Sequence, residues 1–497
     1  MTNSTSDYFP AWIIGLAALL HGAALAQAGA TPLNKEEQAR VDRAIDGGTA
    51  YLKRSQGAQG GWAGQWEIHT VGYAALPGLT LLECGVPADD PVIRRVAVLV
   101  RREAPRVPFT YEIGLSILFL DRLGDTKDRE LIQALAARLI AGQTETGGWS
   151  YKCPFLAKKT QDEILAALRK LDPPEPLDRI AAAERDALDG KPAQRKPALP
   201  PLEGAIGRAS APHEGPIGKP AVPAPAGAPE APKAAPDKAK PPAKHEDKAA
   251  EHPPEVPASL KKLPVFRDPD HLMKLLSKGR PFIITDNSNT QFALLALWVA
   301  QRHDVPARRS MGMIVRRFES SQNRDGSWSY RYRYGGGEQE GPAMICSGLL
   351  GLAVGRGANR QPSADRIRDG LAALSKHVGK PAGKWRNIPL ADLYFLWSLE
   401  RVAMLYRLPT IGEHDWYRWG VEMLIANQQK RGFWSGGGYP KSTSTIDTCL
   451  ALLFLKRANF VADLTAKLHY KADDLNQMFL RTTPSRSPGE SRAPAKP

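Results

Sequence analysis

The sequence predicts an all-α protein built as an (α/α)6 toroid, six inner helices surrounded by six outer ones and interrupted by a long Pro/Ala/Lys-rich disordered insertion. Three observations predict it. A helix-ending pattern, Gln-x3-Gly-x-Trp, occurs four times; apolar helical runs alternate strictly with amphipathic ones; and the stretch from Pro192 to Pro257 holds too few large apolar residues to fold alone.

The four copies are Gln56…Gly60-Gly-Trp62, Gln143…Gly147-Gly-Trp149, Gln322…Gly326-Ser-Trp328 and Gln428…Gly432-Phe-Trp434, with an eroded fifth at Gly383-Lys-Trp385. The residue types suit a helix end. A glycine just past the last turn takes the left-handed conformation that closes a helix. A tryptophan adds a large apolar plate with one donor, and a glutamine amide can stack on it and bond free backbone carbonyls. Each copy reads as a structural clamp.

The apolar runs are Val71–Glu83, Tyr111–Leu123, Thr290–Gln301, Ala343–Val354, Leu390–Tyr406 and Thr445–Lys456. Between them lie the one-sided runs Glu36–Ser55, Pro91–Arg102, Lys127–Ala141, Val305–Ser320, Asp365–Val378 and Glu413–Asn427. Helices apolar all round belong inside and one-sided helices outside. Arranged as concentric rings, the first outer helix pairs with the last inner one, and all inner helices start at one mouth.

The divisions follow. The first part of the toroid covers 34–150, the insertion 151–281 and the second part 282–475, with a Ser/Pro/Arg-rich tail over 476–497. Inside the insertion only Thr160–Leu171 and Arg179–Leu188 keep helical periodicity, and the rest reads as an excursion, either an inert spacer or a tether to a cell-envelope partner. Residues 11 to 26 are apolar and end in Ala24-Leu25-Ala26, which reads as a signal peptide over 1–28 and export to the periplasm or cell envelope. An uncleaved N-terminal anchor is the alternative, since Asp7 precedes the segment and no Lys or Arg does.

The net charge of +15 suits anionic partners, but no nucleic-acid motif accompanies it, and scattered basic residues on a solvated surface account for it. Arg316, Arg317, Arg324, Arg331 and Arg333 with Lys441 read as a solvated rim, with an anion-holding mouth as the alternative. The four cysteines, Cys84, Cys153, Cys346 and Cys449, make no disulfide scaffold in a chain of 497 residues and read as small buried hydrophobes.

With its four clamps, the chain resembles the Gln-Trp motif superfamily: squalene and terpene cyclases, protein prenyltransferase β-subunits and related α/α toroids. The resemblance covers 36–150 and 282–460 and implies the toroid fold. Two longer runs, Asp286-Asn-Ser-Asn-Thr-Gln291-Phe-Ala-Leu-Leu-Ala-Leu and Tyr394 to Tyr406, look like an exported bacterial subgroup without an established reaction. Where the cyclases carry an Asp-x-Asp-Asp proton donor, this chain has Ser444-Thr445-Ile446-Asp447. Isoleucine cannot donate a proton, so a cyclase reaction needs another acid, such as Glu112 or Asp392. The prenyltransferase resemblance implies that His69, Asp447 and Cys449, with a fourth position left open, hold a catalytic zinc, and the zinc lowers the pKa of a bound thiol. The plain alternative makes Asp447 a helix cap, Cys449 core and His69 a rim residue. A resemblance to thioester-domain folds fails because no Cys-x-Glu-Gln occurs.

The remaining candidates line the centre. Tyr111, Glu112, Asn289, Gln291, Asp392, Tyr394 and Trp397 at the inner-helix starts suit a hydrophobic small molecule or a peptide. Glu400 and Arg401 in an apolar run read as glue between helices, and the Asp286 run reads equally as cap and turn. The expected function is therefore an exported toroid binding an isoprenoid-like or peptide ligand, with a zinc-dependent transferase or a cyclase-like enzyme as alternatives.

Overall fold

Apolar runs wrapped by one-sided runs should pack as helices on helices, and they do. The computed structural model describes residues 32–64, 69–171, 256–279, 282–338, 341–357, 363–379, 392–437 and 442–458. All belong to one unit of mutually contacting chain, made from 1–192 and 254–497. The expected signal peptide, the periodic run Arg179–Leu188, most of the Pro-rich stretch, Gly383-Lys-Trp385, Lys441 and the tail lie outside the described residues.

Among the described residues the only β-pairings are isolated bridges, and fourteen α-helices carry the fold. These are α1 (Lys35–Ser55), α2 (Gly72–Glu83), α3 (Pro91–Glu103), α4 (Thr110–Leu123), α5 (Arg129–Gly142), α6 (Lys158–Leu171) and α7 (Pro269–Ser277), then α8 (Asn287–Ala300), α9 (Arg308–Ser321), α10 (Pro342–Gly357), α11 (Ala364–Ser375), α12 (Leu393–Tyr406), α13 (Trp416–Asn427) and α14 (Ser444–Lys456). All twelve expected helices appear, with ends shifted by a turn at most. Caps decide those ends. Asn34 and Glu37 close a capping box at α1, Asp90 precedes Pro91 at α3, and Asp286 starts α8 three residues early by accepting the Asn289 N–H.

Burial separates the two classes of helix. Every residue of α8 is buried, whereas α1 buries only Val41, Ala44, Gly48 and Leu52. The apolar helices α2, α4, α8, α10, α12 and α14 touch in that order, and α14 packs back on α2. The one-sided helices pack against members of this circuit and each other: α3 on α2, α5 on α4, α9 and α11 on α10, α13 on α12 and α14, and α1 on α14 and α13.

The clamps work as their chemistry requires, and they also join neighbouring repeats. Gly60, Gly147, Gly326 and Gly432 have φ of 88°, 76°, 86° and 82°. Each motif tryptophan donates its indole N–H to the carbonyl ten residues back: Trp62 to Leu52, Trp149 to Leu139, Trp328 to Phe318 and Trp434 to Leu424. Each glutamine Nε2 donates both to the carbonyl of its own motif glycine and to one on the next outer helix. The second acceptors are Val92 on α3, Ser310 on α9, Arg366 on α11 and Ala44 on α1. A Cβ on any of these four glycines would strike the backbone of that same neighbouring helix.

The expected insertion begins and ends in folded chain. Helix α6 packs on α5 and buries Ile164, Leu165, Ala167 and Leu168. On the far side Leu260, Val265, Leu272 and Leu276 are buried, and Arg309 donates to the Val265 carbonyl at 2.8 Å. Helix α7, with nine residues and two buried leucines, is too short for periodicity to reveal.

Candidate functional site

Hydrogen bonds within the first two turns tie α8, α10 and α12 to one another. The hub is Gln291 on α8. Its Oε1 accepts from Tyr394 of α12 at 2.7 Å and from Ser347 of α10 at 2.7 Å, while its Nε2 reaches Ser398 of α12 at 3.1 Å. Aromatic rings surround the hub. Phe292 stands 4.9 Å from Tyr111 of α4 and stacks on Trp397 of α12 at 5.1 Å, and Tyr394 lies 5.9 Å from Trp397. Tyr111, Gln291, Tyr394 and Trp397 therefore come together, and Phe292, Ser347 and Ser398 join them. Those three had a visible signal, small hydroxyls or a large ring within otherwise aliphatic helices, but only the packing selects which serines face the centre.

A second group of hydroxyls runs outward from the hub. Tyr111 donates to Ser288, Ser288 donates to the Asp286 carboxylate at 2.8 Å, and Tyr330 links Ser288 at 3.3 Å to Tyr151 at 2.9 Å. Asp286 also accepts from the Asn289 N–H and side-chain amide, so Asn289 serves the helix start rather than the centre. Burial pushes the Tyr111 and Tyr394 phenols well above their ordinary range, so both are hydrogen-bonding hydroxyls at neutral pH. Behind Asp286 sits Arg317, fully buried and bonded to Asn287, Thr146 and Thr285; burial lowers its pKa to about 10. Arg317 is thus removed from the expected basic rim. Arg316 pairs with Asp270, and Arg324, Arg331 and Arg333 are exposed.

Glu112, in the first turn of α4, stands apart from the hub and faces the start of α2. Its Oε1 accepts the Gly72 N–H at 2.9 Å and its Oε2 lies 3.7 Å from His69 Nδ1. Burial raises the Glu112 carboxyl to about 7 and lowers the His69 imidazole, which rests edge-on to Phe109. The pair sets a carboxyl raised by burial beside an imidazole lowered by burial, a composition suited to proton transfer.

The three candidate zinc ligands have separate partners. His69 faces Glu112. Asp447 is fully buried and accepts from the Gly437 N–H at 3.0 Å and Ser442 Oγ at 3.2 Å. The Cys449 thiol is also fully buried, and burial drives its pKa far up. Among the described residues no three His, Cys, Asp or Glu side chains form a metal-binding group.

Internal repetition explains Asp447. Thr290 and Thr448 each accept the backbone N–H of a clamp tryptophan, Trp149 and Trp434 respectively. The residues just before them, Asn289 and Asp447, therefore occupy one repeat position, and both are fully buried. The helix cap is Thr443, not Asp447. Asp392 caps α12 through the Tyr394 and Phe395 N–H groups, and its carboxyl is raised by burial and, to a lesser degree, by Asp447 nearby.

Glu400 and Arg401 bond to each other, Nε to Oε2 at 2.7 Å, with Arg401 also over the Trp397 ring. The four cysteines are free, with Cys153, Cys346 and Cys449 buried and Cys84 partly so. No family model, curated protein or solved structure matches the chain.

Proposed function

We propose that the chain is an (α/α)6 toroid that binds a hydrophobic, isoprenoid-like or peptide ligand at the mouth formed by its inner-helix starts, in the cell envelope after export. The contact circuit from α2 round to α14, and the Gln428 bond back to Ala44, support the toroid. The observation that carries the ligand reading is the convergence on Gln291 of aromatic rings and hydroxyls from α4, α8, α10 and α12. Aromatic faces suit an unsaturated hydrocarbon, and the Gln291, Tyr394 and Ser347 cluster suits one polar end. The test is thermal unfolding and tryptophan fluorescence with farnesol and farnesyl diphosphate. Binding should weaken about tenfold, roughly 1.4 kcal/mol, in Tyr394→Phe and Gln291→Met. No response to either probe counts against the reading, and export is checked by fractionation with N-terminal sequencing.

A second reading has a specific observation in its favour. Glu112 is a buried carboxylic acid at an inner-helix start, the kind of group a cyclase-like enzyme without the Asp-x-Asp-Asp acid needs. Product formed from squalene or a prenyl diphosphate, and lost in Glu112→Gln, would support it. The zinc-transferase reading gains no support from the separate surroundings of His69, Asp447 and Cys449.

A further inference from the structure

Three extended segments lie side by side at the starts of α4 and α8. Asp286 N–H bonds the Trp149 carbonyl at 3.1 Å, Asn287 N–H the Tyr330 carbonyl at 2.8 Å, and Tyr332 N–H the Thr285 carbonyl at 3.2 Å. Phe282 packs edge-on against Tyr332 at 5.5 Å, and the Tyr151 and Tyr330 hydroxyls meet at 2.9 Å. These contacts hold Tyr151 and Lys152, Ile283 and Ile284, and Arg331, Arg333 and Tyr334 on adjoining stretches of chain.

What these segments show to solvent is unusual. Ile283 and Ile284 are 60% and 63% exposed, Tyr151 55% and Tyr334 48%. Lys152, Arg331 and Arg333 are exposed among them. Consecutive isoleucines left in water gain from any apolar cover. Tyrosine, with an apolar ring and a polar tip, is favoured where hydrocarbon meets water, and lysine and arginine are drawn to anionic headgroups. A soluble polyanion would satisfy the basic residues and leave the isoleucines bare.

We propose that this surface docks on an anionic lipid bilayer, with Ile283 and Ile284 entering the headgroup region and Lys152, Arg331 and Arg333 meeting lipid phosphates. No described helix is long and apolar enough to cross a membrane, so the attachment is interfacial. Because Tyr330 also reaches Ser288, and through it Tyr111, the lipid surface borders the ring-and-hydroxyl cluster at the inner-helix starts. The inference stands on the exposed surface and not on what that cluster binds.

The test is co-sedimentation of the full chain with vesicles of phosphatidylcholine alone or mixed with phosphatidylglycerol. The expected result is binding to the mixed vesicles that falls roughly tenfold in Ile283→Ser/Ile284→Ser and about fivefold for each of Arg331→Ser and Arg333→Ser. Val98→Ser, at a residue 62% exposed on α3, serves as the control and should leave binding unchanged. Unaltered thermal unfolding shows that the variants fold. Equal binding by the isoleucine variant and the wild type overturns the proposal, as does binding no better to mixed vesicles than to phosphatidylcholine. Loss in the arginine variants alone, matched by binding to a soluble acidic polysaccharide, overturns it in favour of a polyanion partner.

Discussion

Gln428 donates a 2.8 Å hydrogen bond to the carbonyl of Ala44, joining residues 384 positions apart. The same amide holds the carbonyl of Gly432, so one side chain closes its own helix end and fastens the last outer helix to the first. Gln56, Gln143 and Gln322 do the same between consecutive neighbours.

Gln428→Ala should therefore cost about 1–3 kcal/mol, because two carbonyls lose their donor. Gln429→Ala, one residue on and exposed, should cost almost nothing. Denaturant unfolding of the two variants checks the difference. Equal midpoints would deny the clamp its role in joining α13 to α1.

Two glycines in one turn separate backbone strain from crowding. Gly432 has φ 82° and its missing Cβ faces the Gly47 backbone, whereas Gly436 has φ 77° with nothing near its missing Cβ. Gly436→Ala should cost only the left-handed penalty, about 1–2 kcal/mol. Gly432→Ala should cost clearly more, since α1 must also move, and thermal unfolding reads the gap.

Stability should fall as pH rises from 5 to 8.5, about the range set by two buried acids. Burial raises Glu112 to about 7 and Glu400 to about 8, with Arg401 pulling the latter partly back. Below the usual carboxyl range both folded and unfolded chains hold these protons, so folding carries no ionisation cost there. As pH climbs, the unfolded chain releases them first, and the folded state loses stability until its own carboxyls ionise. Glu112→Gln and Glu400→Gln should each flatten the slope, measured by unfolding across the pH range. A slope unchanged in both variants would contradict the assignment.

Zinc content provides a fourth check. The Cys449 thiol is fully buried and held protonated by that burial, so Cys449→Ser should leave bound zinc per chain unchanged by elemental analysis. Zinc lost from that variant would revive the transferase reading.

Much of the helical frame was legible because its signals are local. The alternation of apolar and one-sided runs reports which helices are covered, and the glycine and tryptophan of each clamp report where a helix must end. Helix α7 and the buried Leu260 and Val265 escaped because so short an element has no periodicity of its own. Asp447 was ambiguous for a related reason. Read along the chain it sits like a cap or a ligand, while its register with Asn289 shows only when Thr448 and Thr290 are seen holding equivalent tryptophans.

The sequence by itself determined that the described chain is helical, where its helices end and which of them are covered on all sides, since helix period, glycine conformation and burial of apolar area act within a few turns. Only the tertiary structure decided that Gln291 meets Tyr394, Ser347 and Ser398, and that His69 faces Glu112. A hydrogen bond spans about 3 Å. Which side chains of different helices come within that reach is set by helix rotation and depth, quantities no single helix encodes.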